Sequence, residues 1–170
     1  GAKGKIALEN NKAFVKPVLD SEISNAKIKD LTVDLVKTKY PQGAEKNIIE
    51  ALLKVQVKAG RLPADAGAVI INVGTACAIS DAFRLGKPLI ERALTISGLA
   101  IEKPCNVKVP VGTLVSDLMP EFVQVKEGAL AKIISGGPMM GFAMPSPAFP
   151  VAKGTSGVLF LTKDETYLTD

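Results

Sequence analysis

At 170 residues, with 47% hydrophobic and 22% charged side chains, the chain has enough apolar material to bury a core as one domain or two small ones, which excludes a disordered protein. Its net charge of +4 arises in residues 1 to 60, with 11 Lys or Arg against 7 Asp or Glu; residues 61 to 170 hold 10 of each. Lysines interleaved with acids, no tryptophan and 5% aromatics give no nucleic-acid surface, and the longest apolar runs are too short for a membrane helix.

The first third alternates elements. Ile6 to Leu8 predicts a short strand, Lys12 to Asn25 an ambiguous, helical-leaning segment broken near Pro17, and Leu31 to Val36 a strand by its alternation of apolar and polar residues. Tyr40-Pro41-Gln42-Gly43 reads as a turn. From Ala44, the stripe Ile48, Ile49, Leu52, Leu53 predicts a helix that stops by Gly60, with Pro63 as a second stop. Strands alternating with helices suggest an α/β layer. Ala66 to Val73 is a continuous apolar run, expected to be a buried strand, and it leads through Asn72-Val73-Gly74-Thr75 into a tightly packed helix over Ala76 to Leu85, closed by Gly86.

After Pro88 the character changes to short strands at Arg92–Ser97, Asn106–Val109, Ala131–Ile134 and Gly157–Thr162, punctuated by Gly98, Pro104, Pro110 and Gly112. The one substantial helix predicted here lies at Thr113 to Met119, capped by Thr113 and burying Leu114, Val115 and Leu118. Strands on either side of a single helix describe a β-grasp-like α+β module, with a domain boundary near Pro88 to Ile90. Asp164 onward reads as a linker.

Cys77 and Cys105 stand 28 residues apart, and the chain has no histidine, so nothing in their spacing supports a zinc or iron–sulfur site; no metal ligands are assigned and both are expected to be free thiols. The stretch Ser135-Gly136-Gly137-Pro138-Met139-Met140-Gly141 ends a strand, because glycine permits the bend and Pro138 withholds an N–H. Its pliable methionines suit either a gap between two units or a contact with a ligand or partner, and local chemistry leaves the two open. It holds no acid or base, and Ser135 has no histidine to activate it, so no catalytic residue is assigned. With no basic and apolar signal pattern at its start, the chain is expected to be cytoplasmic, and its opening at Gly1 rather than methionine suggests a piece of something longer.

Four segments in order, Lys39-Tyr40-Pro41-Gln42-Gly43-Ala44-Glu45-Lys46, Asn72-Val73-Gly74-Thr75, Ser135 to Gly141, and Lys153-Gly154-Thr155-Ser156-Gly157, resemble the subunit designated C in the Rnf-type electron transport complex. That subunit is a relative of the flavin-bearing 51 kDa subunit of respiratory complex I. The resemblance spans about residues 1 to 165. It implies that 1-88 is the C-terminal half of a Rossmann-like FMN and NADH-binding domain, that 89-163 is a soluble-ligand-binding β-grasp domain, and that 164-170 is a linker toward an iron–sulfur domain absent from this chain.

The resemblance further implies cofactor-binding roles for Tyr40, Gly43 and Glu45, in a turn beside the flavin at a helix N-terminus, and for Asn72 and Thr75, whose polar groups lie by the flavin. Ala44 and Gly74 stand where the complex I relative has glutamates. The loop Gly136, Gly137, Pro138, Met139, Met140 and Gly141 is implied to face the flavin domain or the cluster domain. The parent would carry FMN, NADH and 4Fe–4S clusters and pass electrons between them. Its partners would be the other subunits of a membrane complex and a ferredoxin-like cluster domain of the same chain. This fragment alone is expected to bind no cofactor, to be non-catalytic, and to be peripheral to the membrane through its partners. Two alternatives remain: a soluble paralogue, such as a cobalamin reductase or a proline reductase partner, and a non-redox β-grasp docking module.

Overall fold

Period-two alternation pairs β1 (Gly4–Glu9) with β2 (Leu31–Val36), Ile6 opposite Val33 and Leu8 opposite Leu35, in a two-stranded parallel sheet. A parallel pair needs a crossover longer than a hairpin turn. The computed structural model, which describes residues 1–166, supplies it as a 3-10 turn at Asn10–Val15 followed by α1 (Lys16–Asn25). Pro17 sits in the first turn of α1, where a missing N–H costs nothing, so the predicted break becomes a helix start. Lys16 Nζ donates to the Val33 carbonyl at 2.8 Å and to Asp20, tying α1 to β2. Next comes α2 (Glu45–Leu53), with Ile49 buried. It ends at Lys54, which takes a left-handed conformation (φ 60°) and returns its N–H to the Glu50 carbonyl, well before the expected stop at Gly60.

The strand expected over Ala66 to Val73 does not form. Pro63–Ala66 is a 3-10 turn, residues 68 to 72 run without a neighbouring strand among the described residues, and Val69 is 78% exposed. An apolar run becomes a strand only where a ladder partner meets its backbone.

The chain divides into two compact units at Ile71, so α3 (Val73–Leu85) groups with the second unit. Gly86 closes α3 in the left-handed conformation, as its position in the sequence suggests. The tight packing expected of α3 is corrected: none of its residues is buried, and Phe83 is 89% exposed.

The second unit is built on a five-stranded sheet of β3 (Glu91–Ser97), β4 (Cys105–Pro110), β5 (Lys132–Ser135), β6 (Phe142–Met144) and β7 (Gly157–Leu161), in the order β4-β3-β7-β5-β6. All neighbours are antiparallel except β3 and β7. One helix, α4 (Val115–Phe122), adds Val115 and Leu118 to a single core with Leu94, Ile96, Val107, Val109, Val158 and Phe160. The helix is where the apolar spacing put it, with two corrections. Leu114, not Thr113, occupies the N-cap position and makes no side-chain cap, and Leu114 is 38% exposed rather than buried. The short β6 was not foreseen.

Gly98, at φ 116°, lets the end of β3 pass against β7: a Cβ there would lie 2.0 Å from the Phe160 carbonyl oxygen. After β7 the chain makes a 3-10 turn at Asp164–Thr166, pinned by the Glu165 carboxylate, which accepts from the Thr162 N–H at 2.9 Å and the Leu99 N–H at 3.2 Å. Residues 164 to 166 of the expected linker are thus anchored to the sheet unit, and 167 to 170 lie outside the described residues. No helix among the described residues is long and apolar enough to cross a membrane.

Candidate functional site

The turn before α2 is held by its own backbone. Gln42 N–H donates to the Lys39 carbonyl at 2.8 Å and Ala44 N–H to the Pro41 carbonyl at 2.9 Å, while the Asn47 amide donates to Pro41 at 2.9 Å. Gln42 is buried and Tyr40 is 63% exposed. Ala44 caps α2 with no side-chain hydrogen bond, and Glu45 follows as its first helical residue, exposed. A carboxylate there is stabilised by the amides of the first turn. Gly43 has an ordinary backbone, and a Cβ added to it would meet nothing within 4 Å. Neither the turn nor a neighbouring side chain requires glycine; what glycine keeps is open space above the turn. Tyr40, Gly43 and Glu45 are thus all exposed in the turn and first residue of one helix start.

Asn72 and Thr75 share a second helix start, in the other unit. Asn72 takes the extended conformation of an N-cap, and its Oδ1 accepts from the Gly74 N–H at 2.9 Å; its carbonyl accepts from the Ala76 N–H at 2.9 Å. Other first-turn amides of α3 have no intrahelical partner, as at any helix start. No acidic residue lies in this first turn.

Instead a cation is there. Arg92 Nη1, from β3, lies 3.3 Å from where a Cβ on Gly74 would sit, and Asn72 Oδ1 lies 3.2 Å from the same point. Gly74 thus keeps room for the guanidinium beside the helix end. Arg92 Nε is sealed from solvent with no hydrogen-bond partner, and none of the ion pairs among the described residues includes Arg92. Sequence reasoning missed this residue, although a signal was present. Arg92 has the same parity as Leu94 and Ile96, so a charge stands at an inward position of a strand.

The glycine-rich loop joins β5 to β6 as a hairpin. Gly136 has φ 109°, and Gly141 N–H donates to the Gly137 carbonyl at 2.8 Å. A Cβ on Gly141 would lie 2.6 Å from the Gly137 oxygen and 2.4 Å from Ile134 Cγ2. Close approach of the hairpin to itself accounts for these two glycines. Met139, Met140 and Phe142 are exposed.

Two electrostatic clusters lie apart from these sites. The Lys5 ammonium and the Thr32 hydroxyl, donating to Asp34 Oδ2 at 3.0 and 2.8 Å, hold the Asp34 carboxyl below its ordinary value. Hydrogen bonding to Lys87, then to Lys108, likewise lowers Glu91. Cys77 is exposed; Cys105 is half-buried, its thiol 3.7 Å from the Phe122 carbonyl.

Residues 2–81 match the family model of the Nuo51 FMN-binding domain, a span that holds both helix starts and ends before Arg92. Over 163 residues the chain is 46% identical to the subunit designated C in the proton-translocating ferredoxin:NAD(+) oxidoreductase complex of Clostridium ljungdahlii, covering 96% of this chain and 35% of that protein. The Na(+)-translocating counterpart of Acetobacterium woodii is 42% identical over 162 residues, covering 95% of this chain and 36% of that protein. The corresponding subunit of the ion-translocating oxidoreductase complex of Vibrio cholerae is 37% identical over 165 residues, 97% of this chain and 21% of that protein. The chain therefore spans about a third or less of these curated relatives.

Proposed function

We propose, for a chain that is a partial homologue of this subunit of the Rnf-type ion-translocating oxidoreductases and carries a Nuo51 FMN-binding domain region, that it contributes one wall of an FMN site and an adaptor domain. The observation that carries this reading is the start of α3 inside the matched span. A helix N-terminus turns backbone amides and partial positive charge toward an anion, and the first turn of α3 meets that description with no acid of its own.

The residues present fit a flavin nucleotide. At the start of α3, Asn72 fixes the helix and Thr75 places a hydroxyl in its first turn; taken by itself, the start of α2 has open space at Gly43 and exposed Tyr40 and Glu45. Bound FMN would supply the exchange between hydride and single-electron chemistry; the protein's part is to orient it and exclude water. On this reading residues 1-88 are the second half of the Rossmann-like domain, and 89-163 are a β-grasp domain. The sheet order β4-β3-β7-β5-β6 with its single helix supports the latter.

The whole protein would pass electrons between NADH, FMN and iron–sulfur clusters within a membrane-associated assembly of several subunits. In the test, the full-length protein is purified and washed, and its flavin absorbance and bleaching by NADH are measured. Stoichiometric flavin that NADH reduces supports the reading; a colourless protein that takes up no FMN overturns it. One observation favours a docking role for the second unit as well: the exposed Met139, Met140 and Phe142, in a stretch from Ile133 to Ala152 without a charged residue.

A further inference from the structure

We infer that Arg92 is the cation that receives the phosphate of FMN at the start of α3, so that β3 completes the anion site of that helix start. The inference rests on the FMN reading above and extends it to a residue beyond that region, which ends at Asp81.

Arg92 is costly where it stands. Its guanidinium lies alongside the first turn of α3, the positive end of the helix, where an acid is the favourable choice and a cation is repelled. Its Nε is buried without a partner, which forfeits a hydrogen bond and its hydration. Among the described residues no carboxylate pairs with it. Its neighbours on the same strand face, Leu94 and Ile96, are core residues, so an apolar side chain would be the economical occupant of this position.

A dianion offsets the electrostatic cost. A phosphate set against the first-turn amides accepts from them, and the guanidinium then faces negative charge instead of a bare helix end. With Nε sealed, the terminal Nη groups are the edge left to meet it. Gly74 is consistent with such an arrangement. A side chain there would press on Arg92 Nη1 and Asn72 Oδ1, the atoms nearest to where its Cβ would sit. Asn72 Oδ1 is already taken as a cap, so Asn72 shapes the site and Arg92 brings the charge.

The test is a titration of the full-length protein, stripped of flavin, with FMN and with riboflavin, which differ by the phosphate alone; inorganic phosphate serves as a competitor. Binding is read by quenching of flavin fluorescence. The wild type should prefer FMN, and Arg92→Gln should weaken FMN by about 10–100-fold while leaving riboflavin unchanged, as loss of a charged hydrogen bond predicts. Arg92→Lys, which keeps the charge and the aliphatic stem, should fall between them, and millimolar phosphate should compete in the wild type more than in Arg92→Gln. Equal losses for FMN and riboflavin in Arg92→Gln would assign Arg92 a packing role and overturn the inference, as would unchanged FMN binding in either variant. A wild type that binds neither flavin overturns the FMN reading itself and this inference with it, a result distinct from failure of Arg92 alone.

Discussion

Two glycines with similar backbones separate the reasons a chain needs glycine. Gly98 (φ 116°) and Gly112 (φ 100°) both occupy the left-handed side of the map, but a Cβ on Gly98 would meet the Phe160 carbonyl oxygen at 2.0 Å and one on Gly112 would meet nothing. Gly112→Ala should therefore cost the conformational strain alone, about 1–3 kcal/mol. Gly98→Ala adds a collision with the backbone of a central strand and should cost about 4 kcal/mol or more, enough to unfold a marginal domain. Urea unfolding of the two variants checks the difference; equal midpoints would mean that β3 and β7 part easily at that point. A charged residue offers a second test. Asp34 has its folded pKa lowered by the Lys5 and Thr32 hydrogen bonds, so its contribution is fully present above the ordinary value of 3.8 and is lost as pH falls through the lowered folded value. Asp34 is a third exposed, which limits the contribution to about 0–1 kcal/mol. Asp34→Asn should be slightly less stable than the wild type at pH 7, and the gap should close as the pH falls below 3.8, as paired unfolding curves would show.

At the scale of elements, α4 shows what a periodic pattern can and cannot specify. Leu118 is 5% exposed in the core and Leu114, at the cap, is 38% exposed. Leu118→Ala should cost about 2–5 kcal/mol by leaving a cavity, and Leu114→Ala much less, by thermal or urea unfolding. From sequence both leucines belonged to one apolar face; the bounds of the helix, set by where the backbone first turns, decided that Leu114 stays outside. Strands β1, β2, β3, β4, β5 and β7 were legible because alternation and glycine or proline punctuation agree on them. The run Ala66 to Val73 misled because composition reports willingness to be buried, while a strand also needs a partner, and none stands beside it among the described residues. β6 was hidden for the opposite reason: Phe142-Ala143-Met144 is three residues long and gains its strand character from pairing with β5 across the glycine hairpin. The start of α2 at Glu45 could be read from the turn before it; α3 begins at Val73, three residues before the expected Ala76, because Asn72 caps it. Arg92 could be read only as a charge of inward parity on β3; its proximity to Gly74, eighteen positions away in sequence, could not.

At the scale of the whole molecule, the two units differ in how much they bury. Val33, Val36 and Ile49 are the buried apolar residues of the first, whereas the second has one continuous cluster that extends from Leu94 to Phe160. A parallel sheet is ordinarily covered on both faces and wider than two strands, so the first unit should have low local stability in this chain taken alone. Amide exchange should be fast in β1 and β2 and slowest in β3 and β7. The same argument fixes what the 170 residues can bind. A flavin nucleotide needs amides and side chains converging on most of its surface, and ligand sites rely on burying most of the ligand. Glycines 43, 74 and 136 to 141 stand far apart in sequence, and none forms a G-x-G-x-x-G turn between a strand and a helix. On the proposed reading the start of α3, with Arg92, anchors one part of the ligand and leaves much of it in water. Calorimetry of this chain with FMN at about millimolar concentration should therefore show little heat. In the full-length protein, FMN should bind, exchange in β1 and β2 should slow, and Asn72→Ala, which removes the cap of α3, or Thr75→Ala, which removes a first-turn hydroxyl, should weaken binding by about 1–3 kcal/mol. A tight, stoichiometric flavin complex of the 170-residue chain would overturn this, because it would mean that the residues present already bury most of the ligand.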